Sequence, residues 1–557
     1  MGVEIRPIED RDIQGVIALY RKVYGDDFPF KQFYEPGWIR KGIYDDNIAW
    51  SVAVTTADAD EASGFVEATR SVADGRIVGS AAVMVNVGDH DDLIGEFGRL
   101  VVDPDCRGLG VGQSLGQTRI DGVSRRIEFG FAEARAVHPG AQKIMDRLGF
   151  AAIGFEPMKY VLRRRESVVF FGRLFGNAAK LRKNNPQVTK AVHALGSRAL
   201  ENMGFEPDLI VKAEVEPYPS DLEYEIVELQ GAWSHRLLRI EQGRVVKPEV
   251  FGGMHLDYGY LKIKAAAATY LVAREHETPV GAIGFTIDDI DRKCRIFELI
   301  EFDDAVKGFL LRRVTELAAT QYGCDYIEVD VNAHSPRLQY TLDLLGYVPV
   351  AYCPAMVFHS VERLDVIKMA KITCDYELGD IELIDEAKPL FDIVNNAMVQ
   401  KKKGVEIDSI MARIGLFEGL GWAAIDRIGH ICTEKHFKAG ETVFTEGSEG
   451  AEMYVVTRGC IEIRDSASSD APIATVCAGE IFGEFALIDA LPRSMSAVCA
   501  EEATVLVIAK RDFDHLMAHH PSIASRVYRN IAETLVGRLR RTNVSLAQCK
   551  LKYETEA

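Results

Sequence analysis

The chain has 557 residues, 47% hydrophobic and 27% charged, which excludes a mainly disordered or fibrous protein and allows three or four domains at roughly 150 residues each. With 65 Lys and Arg against 83 Asp and Glu, its net charge of -18 argues against wrapping a nucleic acid polymer or docking on an anionic membrane, since both need a positive field. Ten cysteines are scattered without a C-x-x-C pair, so neither a disulfide framework nor a metal site is expected, and a reducing cytoplasm is. Met1–Arg6 carries no apolar signal region, and no apolar run approaches the ~20 residues that span a bilayer.

Residues 1–162 alternate strand-like and helix-like stretches. Val3–Ile8 reads as a strand, Asp10–Tyr24 as a helix, and Ile48–Thr55, Arg76–Val87 and Leu93–Val102 as strands. A glycine-rich loop, Arg107–Gly112, leads into a helix from Val111 to Ile127. Phe129–Ala136 is a strand, Pro139–Leu148 a helix stopped by Gly149, and Phe150–Leu162 is extended. Residues 163–218, with Arg163–Arg165 and Lys180–Lys183, read as a helical connector. Residues 219–362 repeat the first unit faintly: Gln142, Asp146, Leu148, Gly149 and Pro157 recur as Gln339, Asp343, Leu345, Gly346 and Pro354, always 197 residues on. An acidic connector, 363–414, contains an apolar stripe (Leu390, Ile393, Val394, Ala397) that predicts a docked helix. Residues 415–557 change to short β-type runs separated by Gly turns, which reads as a β-roll, and close with a helix after Pro521 that places Ile523, Val527, Ile531 and Leu535 on one face.

Two stretches carry chemistry. In the loop Arg107-Gly108-Leu109-Gly110-Val111-Gly112, glycines let backbone N–H groups approach an anion, and the following helix adds its positive end. An ordinary strand–helix turn is the plain alternative. The second stretch, Gly479–Ser494, offers a carboxylate at Glu484, a short turn with exposed amides, and Arg493 nine residues later. Arg can hold a phosphate with two hydrogen bonds, while an internal Glu–Arg ion pair is the plain alternative.

Phe97–Gly112, with Val102-Asp103-Pro104 before the loop, and the later Arg147-Leu148-Gly149-Phe150 resemble the paired motifs of the GNAT acyltransferases over residues 1–162. The resemblance implies acetyl-CoA or another acyl-CoA, its diphosphate on the loop and its thioester polarised by backbone N–H groups of Leu100, Val101 and Val102. Glu96, eleven residues before Arg107, takes the position of the general base. Where relatives often carry a Tyr acid this chain has Met145, which leaves Tyr160 as a substitute donor or a core residue; His138 stands where relatives often carry Asn in the cofactor site. In the second unit the loop is replaced by a stretch with Glu301, Asp303 and Asp304, whose charge would repel a diphosphate, so it resembles a GNAT unit without catalysis.

Gly479–Ser494 resembles the phosphate-binding cassette of cyclic-nucleotide-binding domains, and the flanks Gly440–Gly447 and Met453–Gly459 agree, over residues 415–541. This implies Arg493 on the cyclic phosphate, Glu484 on the ribose, and Gly483, Ala486 and Ser494 near the phosphate, with cAMP favoured over cGMP. The expected fold is therefore an α+β multidomain chain: two GNAT-type α/β units, then a β-roll domain with flanking helices. The expected function is acyl transfer to an amine, regulated by a cyclic nucleotide, with protein lysines as first acceptor. A small-molecule N-acyltransferase and a non-enzymatic sensor of CoA and nucleotide are the alternatives.

Overall fold

The computed structural model describes residues 2–26, 28–56, 75–85, 87, 90–213, 215–230, 249–251, 268–276, 278–411, 414–465, 472–488 and 491–556. The chain forms two compact units, Met1–Val399 and Gln400–Ala557.

The first unit is organised by one fifteen-stranded sheet. From one edge its strands are Gly2–Pro7, Ile48–Thr56, Ile77–Val85, Ile94–Val102, Phe129–Arg135, Arg165–Leu174 and Ala151–Val161. The next seven run Val348–His359, Glu362–Ile372, Tyr326–Asn332, Lys293–Glu301, Thr278–Asp288, Thr269–Glu275 and Glu225–Gln230, and the fifteenth, Val250–Phe251, lies off this order and pairs with Tyr326–Asn332. The second set is the first in reverse, so the sheet is two similar halves joined at a seam. At that seam Ala351 pairs with Gly154, and a Cβ on Gly154 would lie 2.6 Å from the Val350 carbonyl oxygen. Only glycine permits this approach.

Each half contains one parallel pair, and both pairs part. Ile94–Val102 follows Phe129–Arg135 only over Ile94–Glu96, and Lys293–Glu301 follows Tyr326–Asn332 only over Lys293–Ile296. A cleft opens beyond the first point of separation.

The expectation of a helical connector over 163–218 is corrected at its start. Arg165–Leu174 is a strand inserted between Phe129–Arg135 and Ala151–Val161. Its run Val168–Phe171 is buried on both faces, as a central strand requires, and this outweighs the basic residues before it. Glu362–Ile372, read as the end of the second unit and the start of the acidic connector, has the same place in the second half. Helix Lys190–Asn202 does form within the remainder of the first connector.

The acidic stretch after Ile372 lies along the first half. Glu382 N donates to Ala136 O at 2.7 Å, and the buried Gln142 side chain donates to Glu382 O at 2.9 Å and accepts from Ile384 N at 3.1 Å. Leu390, Val394 and Met398 then share a core with Met145, Leu148 and Phe155.

The second unit contains two four-stranded sheets. One has the order Cys432–Phe437, Ala503–Ala509, Glu452–Arg458, Ile481–Phe482, and the other Thr442–Phe444, Ser496–Cys499, Cys460–Arg464, Ala474–Cys477. Ile523, Val527 and Ile531 of helix Pro521–Glu556 pack with Phe513, Leu516 and Met517 of helix Lys510–His519. No disulfide framework was expected, but one bond forms: Cys460 and Cys477 are direct cross-strand partners, with Cα atoms 4.2 Å apart. Short-spacing patterns do not reveal cysteines that antiparallel pairing brings together from 17 residues apart. Among the described residues no helix is long and apolar enough to cross a membrane, and no cluster of potential metal ligands occurs.

Candidate functional site

The loop Arg107–Gly112 rests on Asp103. This buried carboxylate accepts from Lys22 Nζ at 2.6 Å and Asp105 N at 3.0 Å, and pairs with Arg76. Burial pushes its pKa up, but these partners more than offset that and hold it below the usual carboxylate range. Gly108 and Gly110 take φ of 80° and 81°, the left-handed region that favours glycine. Gly110 caps helix Val111–Val123, whose first amides have no partner within the helix. Gly112 lets that helix approach its neighbour, since a Cβ there would lie 2.8 Å from Ile144 Cδ1. Arg107 is exposed, Leu109 is half-buried and Val111 is buried.

The strand before the loop is bulged. Val101 pairs with Ser80 but Gly98 with Ala82, so Arg99 and Leu100 fall where the partner strand has one residue, and Arg99 has φ of 54°. The buried Arg119 guanidinium holds the bulge by donating to Ala82 O at 2.9 Å and Gly98 O at 3.0 Å. Leu100, Val101 and Val102 thus face the parting of the sheet next to the loop, and they line one cavity of about 1390 Å³ together with Glu96, Arg107, Gly110 and His138. His138 is exposed, and its Nδ1 accepts from Gly140 N at 2.8 Å, which assigns the ring proton to Nε2.

Beyond Glu96 the cavity ends in a cluster of charges from both halves of the sheet. Lys159 Nζ is buried between Glu133 at 2.7 Å, Glu156 at 2.9 Å and Glu328 at 3.4 Å. Tyr160 donates its hydroxyl to Glu133. Burial, with the charge of Glu133, pushes the Tyr160 pKa well above its ordinary value. Burial would raise Glu133 too, but Lys159 and the Tyr160 hydroxyl bring it below its ordinary value. Glu96 has no such donor among the described residues. Burial and the negative charge of Glu133 push its pKa up to about 7, against the opposing charges of Arg99, Lys159 and Arg295. Sequence reasoning had singled out Glu96 and Tyr160 but missed Glu133, Lys159, Lys293 and Arg295. For Lys293 and Arg295 the signal is charged residues at alternate positions in one strand, a pattern that Glu328 and Asp330 repeat on the next.

The matching cleft of the second half is filled by the chain itself. Val250–Phe251 pairs with Val331 and Asp330, on the strand that borders the cleft. A Cβ on Gly308 would lie 2.6 Å from the Tyr218 carbonyl oxygen. Lys307 Nζ is buried against Glu249 at 2.7 Å, Asp304 at 2.8 Å and Glu301 at 3.0 Å. Glu301 and Asp304 are thus only partly matched, by this one ammonium and, for Asp304, by Arg337, and occupation by backbone is a second reason that the cleft is closed.

In the second unit Arg493 is the centre. It is 8% exposed, with its guanidinium carbon 4.2 Å from the centre of the Phe444 ring and 5.7 Å from that of Tyr454. It donates to Glu452 O at 2.8 Å and Gly483 O at 3.2 Å, while its buried Nε has no protein partner among the described residues. An unpartnered buried donor of a guanidinium suits an anionic acceptor. Gly483 has φ of 73°, and a Cβ there would lie 2.8 Å from Arg493 Nη1. Glu484 and Ala486 are buried in the turn that follows, and Ser494 is exposed beside Arg493. Phe444, Tyr454 and Phe482 form an aromatic wall, with Tyr454 and Phe482 stacked at 4.9 Å.

Residues 434–520 match the cyclic nucleotide-binding domain family. A CRP-like cAMP-activated global transcriptional regulator of Mycobacterium tuberculosis is 31% identical over 143 residues, 25% of this chain and 62% of that protein. A cyclic nucleotide-gated potassium channel of Rhizobium etli is 30% identical over 135 residues, 24% of this chain and 37% of the channel. Among solved structures, the catabolite activator protein of Thermus thermophilus is 28% identical over 24% of this chain and 63% of its own, with a TM-score of 0.23. The chain thus spans less than two thirds of these relatives. The family match and the Arg493–Glu484 turn coincide, and the C-terminal unit contains a cyclic nucleotide-binding domain.

Proposed function

We propose that the chain is an acyl-CoA-dependent N-acyltransferase whose activity a cyclic nucleotide sets, with cAMP, the ligand in the mycobacterial relative's name, as first candidate. The observation that carries the reading is the parting of strands Ile94–Val102 and Phe129–Arg135 beside the left-handed glycine loop, with Glu96 on the cleft wall. The loop amides and the helix end suit a diphosphate, and the bulge at Arg99 frees strand N–H groups from regular pairing to face a thioester carbonyl. Glu96 takes the proton as an amine nitrogen forms its bond to the acyl carbon and the C–S bond breaks. Tyr160 does not deliver the proton to the leaving thiolate, because its hydroxyl is committed to Glu133; it positions that carboxylate, and solvent protonates the thiolate.

Incubation of the full chain with labelled acetyl-CoA, amine acceptors and cAMP or cGMP tests this. Transfer that changes with nucleotide supports the reading. Acetyl-CoA binding without transfer to any amine leaves only a sensor. Gly110→Val is expected to weaken acetyl-CoA binding about tenfold, because a left-handed β-branched residue costs roughly 1–2 kcal/mol even where its Cβ has open space. Nucleotide binding, read by calorimetry on the same variant, is expected to stay unchanged.

A further inference from the structure

The acceptor end of the cavity is built by both halves of the sheet, and its cations are not equally satisfied. Lys159 is surrounded by three carboxylates and Lys368 lies 2.8 Å from Asp330 Oδ1, so both are matched. Arg295, 41% exposed in its side chain, has one long bond of 3.3 Å to the other oxygen of that same Asp330. Lys293 Nζ stands 4.0 Å from Glu328 and 5.0 Å above the Tyr160 ring. Both residues line the cavity that also exposes Glu96, and the charges of Arg295 and Glu96 act on one another. The second half has therefore lost its own cleft but supplies to the cleft of the first two cations, Arg295 and Lys293, whose direct contacts are longer than those of Lys159 although Asp330, Glu328, Glu133 and Glu96 act on Arg295.

Resting on the acyltransferase reading, we propose that the acceptor is a small amine carrying its own carboxylate, which Arg295 and Lys293 hold while its nitrogen meets Glu96. A planar guanidinium fork pairs with a carboxylate through two hydrogen bonds, and a protein lysine side chain brings no anion to this position.

The test uses the full chain with labelled acetyl-CoA and cAMP, and compares amino acids with their carboxamides, phosphoethanolamine with ethanolamine, and a lysine peptide. The carboxylate member is expected to lead its carboxamide by about tenfold or more in kcat/KM. Arg295→Gln is expected to abolish that preference by raising KM for the acid, with thermal melting to confirm folding, and Arg295→Lys to restore part of it. Equal transfer to acid and carboxamide, preference for phosphoethanolamine over every carboxylate, or preference for the lysine peptide overturns the inference and leaves acyl transfer standing. No transfer to any acceptor overturns both.

Discussion

Arg493→Ala is expected to weaken cyclic-nucleotide binding by about 100-fold or more, read by calorimetry on the full chain. Hydrogen bonds to a charged group are worth roughly 1.5–3 kcal/mol each, and a cyclic phosphate held by two of them loses both. The parent's melting transition for this unit is expected to rise with ligand, by about 2.7 kcal/mol at 100 times the dissociation constant. The variant at the same concentration gains only about 0.4 kcal/mol if its affinity has fallen 100-fold. Arg493 also donates to Glu452 O and Gly483 O and stacks on Phe444, so the variant without ligand starts less stable. Arg493→Lys separates the two effects. It keeps a charge but loses the fork, so binding is expected to remain well below the parent's. An affinity within about threefold of the parent's in Arg493→Ala would show that the phosphate sits elsewhere.

The Arg493 segment and the left-handed glycine loop were legible because each lies in one continuous stretch. Gly483, Glu484 and Arg493 fall within one short stretch of sequence, and Gly108, Gly110 and Gly112 within one loop, so local residue order carries both patterns. What was illegible depends on long-range pairing. Nothing near Gly154 in the sequence shows that Ala351 will press against it and join two sheets into one. Because that seam was invisible, Arg295 seemed to belong to a separate and inactive domain, whereas it faces the cavity of the first half. Lys307 was hidden for a similar reason. Its neighbours Glu301 and Asp304 showed a local surplus of negative charge, and only the fold buries an ammonium among them. Strand Arg165–Leu174 was misread because the basic run before it suggested a surface segment, although four consecutive apolar residues already pointed to a buried strand.

Glu96→Gln is the sharper test of the chemistry, because activity and stability should move in opposite directions. The carboxyl is pushed up to about 7 by burial first and by Glu133 second, although Arg99, Lys159 and Arg295 favour its charged form. A base must be unprotonated, so the parent's rate is expected to rise with pH through about 7 and level off above it. In Glu96→Gln that limb is expected to vanish, with kcat lower by roughly 100-fold to 10,000-fold. The folded protein holds this proton more tightly than the unfolded chain, whose Glu titrates near 4.3. Stability from the neutral carboxyl is thus complete below that value and is lost as pH rises through about 7. Above about 7 the parent carries a poorly solvated carboxylate that the amide removes, so Glu96→Gln is expected to melt at a higher temperature than the parent at pH 8 and near the same temperature at pH 4. A glutamate that merely solvates the edge of a strand would show neither effect: its amide would keep both the rate and the pH limb. A stabilised but inactive variant at pH 8 would identify Glu96 as a group kept in an unfavourable setting for catalysis, a compromise common in active sites.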